Sequence, residues 1–355
     1  MIARRLAFLA ALFVPFTAYA QTPAASAKPA ASAKPKPAAT APATTAKPAP
    51  GAKPGATTPA PAAAPTAAAA APVVAPPVKL DVKLDVRKKT LANGLRVVMA
   101  PDSTSPTVAV DVVYDVGSRV EERGHSGFAH LFEHMMFQGS GNVPKGEHFK
   151  LVTSHGGTLN GTTNQDRTNY FEMLPRSELP LALWLEADRL KSLDVSETNF
   201  ENQRAVVKEE YRMRVENAAY VPAEIRLQEL VYQGYWPYEH STIGSMRDLD
   251  AAQIDWVRAF HANYYAPNNA VLSIAGDFDP DEAMALVEKF FGPAKTVQTP
   301  KFDETQAVPP QSAPREEVVE DAHAKLPAYF DGYPIPQTRT PEHYALELAG
   351  MILSD

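Results

Sequence analysis

The sequence predicts an α+β fold in which an antiparallel or mixed sheet is packed with helices. Apolar and polar residues alternate in three short stretches, a pattern typical of half-buried strands: residues 95–99, 108–114 and 271–275. Apolar residues recur at helical spacing in four longer stretches: residues 127–137, 181–191, 197–216 and 280–291. Together these stretches give an α+β pattern.

The first 20 residues have the form of a signal peptide. Arg4 and Arg5 precede an apolar run over residues 6–16, and residues 18–20 form a small-x-small cleavage site. We therefore predict secretion across the inner membrane of a Gram-negative bacterium, into the periplasm or the envelope. The run is short for a membrane span and is interrupted by Pro15, so no stable span is expected after cleavage; an uncleaved anchor is the alternative.

Composition divides the rest of the chain into a tether and a folded body. Residues 21–78 are almost entirely Ala, Pro, Lys, Thr and Ser, which leaves little to bury, and they are expected to be a disordered linker. The body is predicted to hold a complete first domain over 79–299, a polar linker over 300–326 and the start of a second domain over 327–355. A helix predicted over 341–353 runs almost to the last residue, so we expect the second domain to be truncated or completed by a separate chain.

The charge of the chain is unevenly distributed. Residues 1–78 hold seven of the 34 basic side chains and none of the 41 acidic ones, so the remainder carries −14 against −7 for the whole chain. An acidic body disfavours nucleic acid, whose phosphates need basic faces, and it suits peptides that bear basic residues. The chain has no cysteine, which excludes disulfides, a lipoprotein cysteine and thiolate zinc sites.

The pattern H-x-x-E-H within the predicted helix 127–137 is the strongest sign of chemistry. Residues three and four apart are neighbours on a helix, so His130 and His134 can bind one metal ion while Glu133 reaches a water bound to it. The apolar flanks of the motif would bury this helix, and buried imidazoles need a partner such as a metal. A chance pair of core or surface histidines is the alternative.

A hydrolytic zinc site keeps three protein ligands, so a third must come from elsewhere in the chain. At about 100° per residue, Glu210 falls inside the apolar stripe of the predicted helix 197–216, whereas Glu209 falls to one side near Arg212. A carboxylate in an apolar face is costly to bury unless it is paired or binds a metal. Glu210 is therefore predicted to be the ligand and Glu209 a solvated or supporting charge; two surface charges on a long helix are the alternative. The stripe is predicted to consist of Phe200, Val206, Val207 and Met213.

These residues resemble the pitrilysin, or inverzincin, family of metallopeptidases. The H-x-x-E-H helix followed by the glutamate helix has the order of that family, and the resemblance is to bacterial relatives of the mitochondrial processing peptidase β subunit. It covers about residues 85–355. Similar segments flank the motif at residues 91–98, 116–119, 156–163, 265–270 and 276–277.

The resemblance implies a zinc peptidase with one Zn²⁺ per chain, built as half of a clamshell whose second domain is a distant copy of the first. It also implies that substrate adds to a sheet edge as an extra strand at Asn160, Thr162 and Thr163, a turn being the alternative. Many members carry a glutamate seven positions before the ligand, where this chain has Gln203, which cannot supply charge. The arginine and tyrosine pair that members carry in the second domain is not found in the sequence.

The sequence thus predicts a secreted zinc endopeptidase acting on peptides or unfolded segments. His130, His134 and Glu210 would hold the metal, and Glu133 would take a proton from the activated water and return it to the leaving amine. A second peptidase subunit or a C-terminal half is the expected partner. A non-catalytic peptide-binding or scaffolding subunit of a two-chain assembly is the alternative. The other histidines have no spacing for a second site and are expected at surfaces or caps: His125, His148, His155, His240, His261, His323 and His343.

Overall fold

The computed structural model describes residues 84–354, so the predicted signal peptide and the predicted linker over 21–78 lie outside the described residues. Within them, no helix combines the length and the apolar character needed to cross a membrane. The strands are β1 (Arg87–Thr90), β2 (Arg96–Pro101), β3 (Thr107–Tyr114), β4 (Thr158–Thr163), β5 (Thr168–Pro175) and β6 (Ala270–Gly276). The α-helices are α1 (Phe128–Met135), α2 (Glu147–Ser154), α3 (Leu179–Ser192), α4 (Glu197–Tyr211), α5 (Val221–Val231), α6 (Trp236–Glu239), α7 (Met246–Ala251), α8 (Ile254–Tyr264), α9 (Pro280–Phe291) and α10 (Pro341–Ser354).

The strands of the described region form one six-stranded sheet with the order β1-β2-β6-β3-β5-β4. β2 and β6 run parallel, and every other pair of neighbours is antiparallel. This mixed sheet, packed with helices, confirms the predicted α+β class. β4 is an edge strand, which leaves one side of its backbone free for an added chain.

One face of the sheet is covered by helices. Successive side chains of a strand point to opposite faces, and in β3 the alternate residues Val108, Val110, Val112 and Tyr114 are all buried. The helix α3 packs on β3 and β5 and contacts α9, whereas α1 packs between β4 and α4. Each fully buried aliphatic side chain stabilises this layer by about 1.5–3 kcal/mol.

The predicted strands and helices are all present, with ends shifted by a few residues at most, except in the helix predicted over 197–216. There the α-helix ends at Tyr211, and Arg212–Glu216 forms a π-helical turn. The predicted apolar stripe was half wrong: Phe200 and Val207 are buried, but Val206 is 40% and Met213 is 50% exposed. The buried side of α4 runs through Gln203 instead, because a polar residue here packs against the histidine helix.

The segment between α9 and α10 contains neither helix nor strand in the structure, and its residues 315–332 lie along α5. Asp321 accepts a hydrogen bond from the Tyr220 backbone N–H, and Glu317 forms an ion pair with Arg226. α10 presents an exposed apolar face, formed by Leu346, Leu348, Met351, Ile352 and Leu353.

Candidate metal centre

The helix α1 carries both predicted histidine ligands on one face, opposite the glutamate of α4. The ring centroids of His130 and His134 are 4.8 Å apart. Glu210 Oε2 lies 3.3 Å from His134 Nε2 and 3.9 Å from His130 Nε2. The ligand atoms of the three residues lie within 4.8 Å of one another. Two imidazole nitrogens and one carboxylate oxygen suit a hydrolytic zinc site.

The two neighbouring glutamates of α4 have opposite environments, in the directions expected from the sequence. The Glu210 side chain is 13% exposed and faces the histidines, whereas Glu209 is 60% exposed and pairs with Arg212. Glu209 therefore makes no contact with the three ligands in the structure. Gln203, seven positions before Glu210, is buried and lies close enough to the His134 ring to raise its pKa.

The protonation states of the three residues fit metal binding. Burial lowers the pKa of His130 to about 3, helped by the charge of His134, so its imidazole is neutral. Burial raises the pKa of Glu210, but the hydrogen bond from His134 and the neighbouring basic side chains outweigh it and bring the pKa to about 2. Burial likewise lowers the pKa of His134, but its interactions with Glu210 raise the pKa above the usual value. A positive charge placed between these groups would replace that proton.

The other oxygen of Glu210 is held by an arginine. Arg214 Nη1 lies 2.9 Å from Glu210 Oε1, four positions further along the chain in the π-helical turn. The carboxylate is therefore divided, with Oε2 towards the histidines and Oε1 towards the guanidinium. No sequence pattern pointed to Arg214, although its spacing from Glu210 is that of a helical ion pair.

Glu133 lies on the same helix, next to the edge strand. Its Oε2 accepts a hydrogen bond from Thr163 Oγ1 at 2.5 Å. Gly161 lets β4 approach this carboxylate, because a Cβ at that position would lie 3.2 Å from Glu133 Oε1 and 3.1 Å from the Tyr170 ring. Burial raises the pKa of Glu133, and the Thr163 hydrogen bond offsets part of that rise. A carboxylate with a raised pKa is suited to take up a proton.

The predicted substrate-binding residues are split between the two faces of β4. Thr163 contacts Glu133, whereas Thr162 points to the other face, where its hydroxyl donates to Asn169 and accepts from Arg167. Asn160 shares that other face by alternation, and its Oδ1 accepts from the Gly161 backbone N–H. Only Thr163 of the three touches the metal-centre residues directly.

A buried network fixes the start of α1, and sequence reasoning missed it. The helix begins after Gly127, whose φ of 90° suits glycine, and no N-cap side chain is present. Instead the Glu121 carboxylate accepts hydrogen bonds from the backbone N–H groups of Gly127 and Ala129. Its Oε2 also lies 2.9 Å from His240 Nε2. A carboxylate at this position complements the helix dipole. His240 follows α6 directly, and its Nδ1 lies 2.8 Å from the carbonyl oxygen of Trp236, so the expected capping role is confirmed. The expected surface position was wrong, because the ring is buried behind Glu121.

The described residues contain one other group of three metal-ligating side chains, His148, Glu172 and Glu186. All three are buried, so the surface expectation was wrong for His148 as well. Both oxygens of Glu186 already accept from Arg189, which is also buried. A divalent cation beside that guanidinium would be repelled. We therefore describe this cluster as an internal charge network.

Comparison with known proteins identifies the family to which the fold belongs. The sequence model of the insulinase family, peptidase family M16, matches residues 96–236. The sequence model of the peptidase M16 inactive domain matches residues 252–355. The H-x-x-E-H motif and Glu210 all lie in the first match. The zinc protease PqqE of Helicobacter pylori is 34% identical over 272 residues, 75% of this chain and 60% of that protein.

A second relative and a solved structure are also similar to the chain. The probable mitochondrial-processing peptidase subunit beta of Schizosaccharomyces pombe is 28% identical over 203 residues, 57% of this chain and 44% of that protein. The crystal structure of a protease from Helicobacter pylori has a TM-score of 0.59 at 35% identity, covering 64% of this chain and 53% of that one. The chain thus spans about half of the length of these relatives.

The mixed sheet packed with helices and the two family matches define a domain of the insulinase-like zinc proteases. The chain belongs to peptidase family M16, which confirms the family predicted from its motifs.

Proposed function

We propose that the protein is a zinc-dependent peptidase in which His130, His134 and Glu210 hold the metal and Glu133 is the proton-transfer group. The observation that carries this proposal is the convergence of three ligand atoms within 4.8 Å from two helices, with Glu133 on the same helix as the histidines. Zinc proteases among the relatives support it. We propose one Zn²⁺ per chain, because in the other group of three that the described residues contain, both oxygens of Glu186 already accept from Arg189.

The residues of the chain prepare the site for peptide hydrolysis. Zinc, when bound, would act as a Lewis acid that polarises water and the substrate carbonyl. The neutral His130 ring and the ionised Glu210 carboxylate offer the lone pairs that the metal needs. Glu133 would accept a proton at its half-buried carboxylate and return it to the leaving amine, while Thr163 keeps that carboxylate oriented.

The edge of the sheet is the proposed peptide-binding surface. β4 lies beside Glu133 and has one unpaired side, so an extended peptide could add to it as a further strand. Asn160, Thr162 and Thr163 would line that strand. The net negative charge of residues 79–355 favours peptides that carry basic residues.

A second M16 chain or half is the proposed partner. The exposed apolar face of α10 offers a surface for it, with Leu348 61% and Ile352 77% exposed. We also propose that residues 1–20 direct the protein across the inner membrane to the periplasm or envelope, on the sequence pattern alone.

The test is a pair of assays on Glu133→Gln and the wild type. The amide keeps the shape of the side chain but cannot take up a proton, so hydrolysis of an unfolded peptide library should fall about a hundredfold or more at unchanged zinc content. A wild type without zinc or peptidase activity, even beside a co-expressed M16 partner, would favour the peptide-binding scaffold instead. An active Glu133→Gln enzyme would exclude Glu133 as the proton-transfer group.

A further inference from the structure

We propose that Arg214 is a positioning residue that makes Glu210 offer a single oxygen to the metal, an inference that rests on the proposed function. A carboxylate can bind a metal through one oxygen or two. In the structure Arg214 Nη1 lies 2.9 Å from Glu210 Oε1, while Oε2 is the oxygen nearest both histidine Nε2 atoms. One oxygen is thus directed to the ligand cluster and the other is engaged by a guanidinium.

The local backbone places the arginine where this division is possible. Arg214 follows Glu210 by four positions and lies in the π-helical turn Arg212–Glu216 that extends α4. Residues four apart are neighbours on a helix surface, so the guanidinium can reach the carboxylate of Glu210. Single π-turns inside helices are frequent at functional sites.

The division of the carboxylate has a chemical consequence. Catalytic zinc sites keep a coordination position open beside three protein ligands. If Glu210 used both oxygens, it would occupy that position or crowd it. The ion pair with Arg214 prevents this, and it also fixes the side-chain rotamer of Glu210 before the metal arrives. Groups that hold a metal ligand in this way commonly change metal affinity about 10–100-fold when removed.

A neighbouring ion pair supplies a matched control. Arg212 Nη1 lies 2.9 Å from Glu209 Oε2, the same distance as in the Arg214 pair and in the same turn. Both Arg212 and Glu209 are exposed and neither touches the ligand cluster. Loss of Arg212 changes the net charge as loss of Arg214 does, but it leaves Glu210 untouched.

The experiment measures metal binding itself on the purified protein. Zn²⁺ affinity is determined by competition with a chelator, and the coordination of Co²⁺ in the same site is read from its visible absorption spectrum. We expect Arg214→Ala to weaken Zn²⁺ binding about 10–100-fold. We also expect it to reduce the cobalt absorption, because an added carboxylate oxygen raises the coordination number. Arg214→Lys keeps the charge and one donor, so its Zn²⁺ affinity and cobalt absorption should lie between those of Arg214→Ala and the wild type. Arg212→Ala should match the wild type in both measurements.

The outcomes separate the two proposals. If Arg214→Ala binds Zn²⁺ within twofold of Arg212→Ala and its cobalt spectrum is unchanged, the role of Arg214 is disproved while the zinc site stands. If the wild type binds no zinc, or Glu210→Gln binds it as tightly as the wild type, the proposed function fails and this inference fails with it. Circular dichroism establishes folding of each variant, and Arg214→Gln replaces the alanine variant if that one does not fold.

Discussion

Thr163 and Glu133 join the edge strand to the metal-binding helix through one short hydrogen bond. Thr163 Oγ1 donates to Glu133 Oε2 at 2.5 Å, and Gly161 lets the two elements come this close. The contact orients the carboxylate proposed to transfer the proton. It also ties its position to the strand proposed to receive the peptide.

Replacing Thr163 by Val should lower kcat/KM about tenfold, because the loss of a hydrogen bond to a charged group costs about 1.5–3 kcal/mol. The shape of the side chain is retained, so zinc content should not change. Thr163→Ser keeps the hydroxyl and should retain most of the activity. Equal rates for the Val and wild-type proteins would show that the hydrogen bond does not orient Glu133.

The two glutamates of α4 should differ in their effect on metal content. Glu210→Gln should lose most of the zinc, since a neutral amide is a weak ligand and the Oε2 atom faces both histidines. Glu209→Gln should keep it, because that side chain is 60% exposed. Zinc is measured by atomic emission after dialysis. The reverse pattern would overturn the assignment of the third ligand.

The packing of α4 predicts that replacing two adjacent valines by alanine will reduce the free energy of unfolding by different amounts. Val207 is fully buried, so Val207→Ala should reduce the free energy of unfolding by about 2 kcal/mol. Val206 is 40% exposed, and Val206→Ala should change it by about 0.5 kcal/mol or less. Both values are obtained from urea unfolding of the metal-free proteins. Similar losses for the two variants would contradict the observed phase of the helix.

The internal charge network predicts a pH-dependent stability. Burial raises the pKa of Glu172 well above its usual range, and the charge of Glu186 adds to this, whereas Arg189 opposes it. A raised pKa in the folded state means that the stability associated with protonated Glu172 is present at low pH. That stability is lost as the pH rises from the usual glutamate pKa through the folded value.

Glu172→Gln removes this titration while keeping the side chain neutral and similar in shape. The difference in unfolding free energy, variant minus wild type, should therefore grow from pH 5 to pH 8, as measured by urea unfolding at each pH. Glu209→Gln, an exposed glutamate of the same type, serves as the control and should show no such growth. A constant difference for Glu172→Gln would mean that Glu172 has the same protonation in both states.

The sequence was most informative where a single periodicity determines structure. Alternation located β2, β3 and β6, and helical phase placed Glu210 inwards and Glu209 outwards. Helical phase predicted the burial of the two glutamates correctly but that of Val206 wrongly. A helix has only one buried side, and Gln203 occupies part of that side in α4. Burial of a polar residue against His134 depends on a contact between distant segments, which periodicity does not encode.

Periodicity could not predict the residues that support the site either, because their roles also depend on contacts within the folded structure. Glu121 lies in a connection with no helical or strand pattern, yet its carboxylate binds the start of α1 and contacts His240. Arg214 belongs to a π-helical turn, which sequence patterns do not distinguish from an α-helix. Neither residue has a spacing that separates it from an ordinary surface charge.

The ligands come from helices that are far apart in the chain, with α2, β4, β5 and α3 between α1 and α4. In the unfolded chain the two histidines are still close together, but Glu210 is not held beside them. It therefore lacks the third donor that makes metal capture strong. Hydrolytic competence would arise only when the sheet and its helices have assembled. On the proposed function, a nascent or extended chain would therefore be unable to hydrolyse itself or its neighbours.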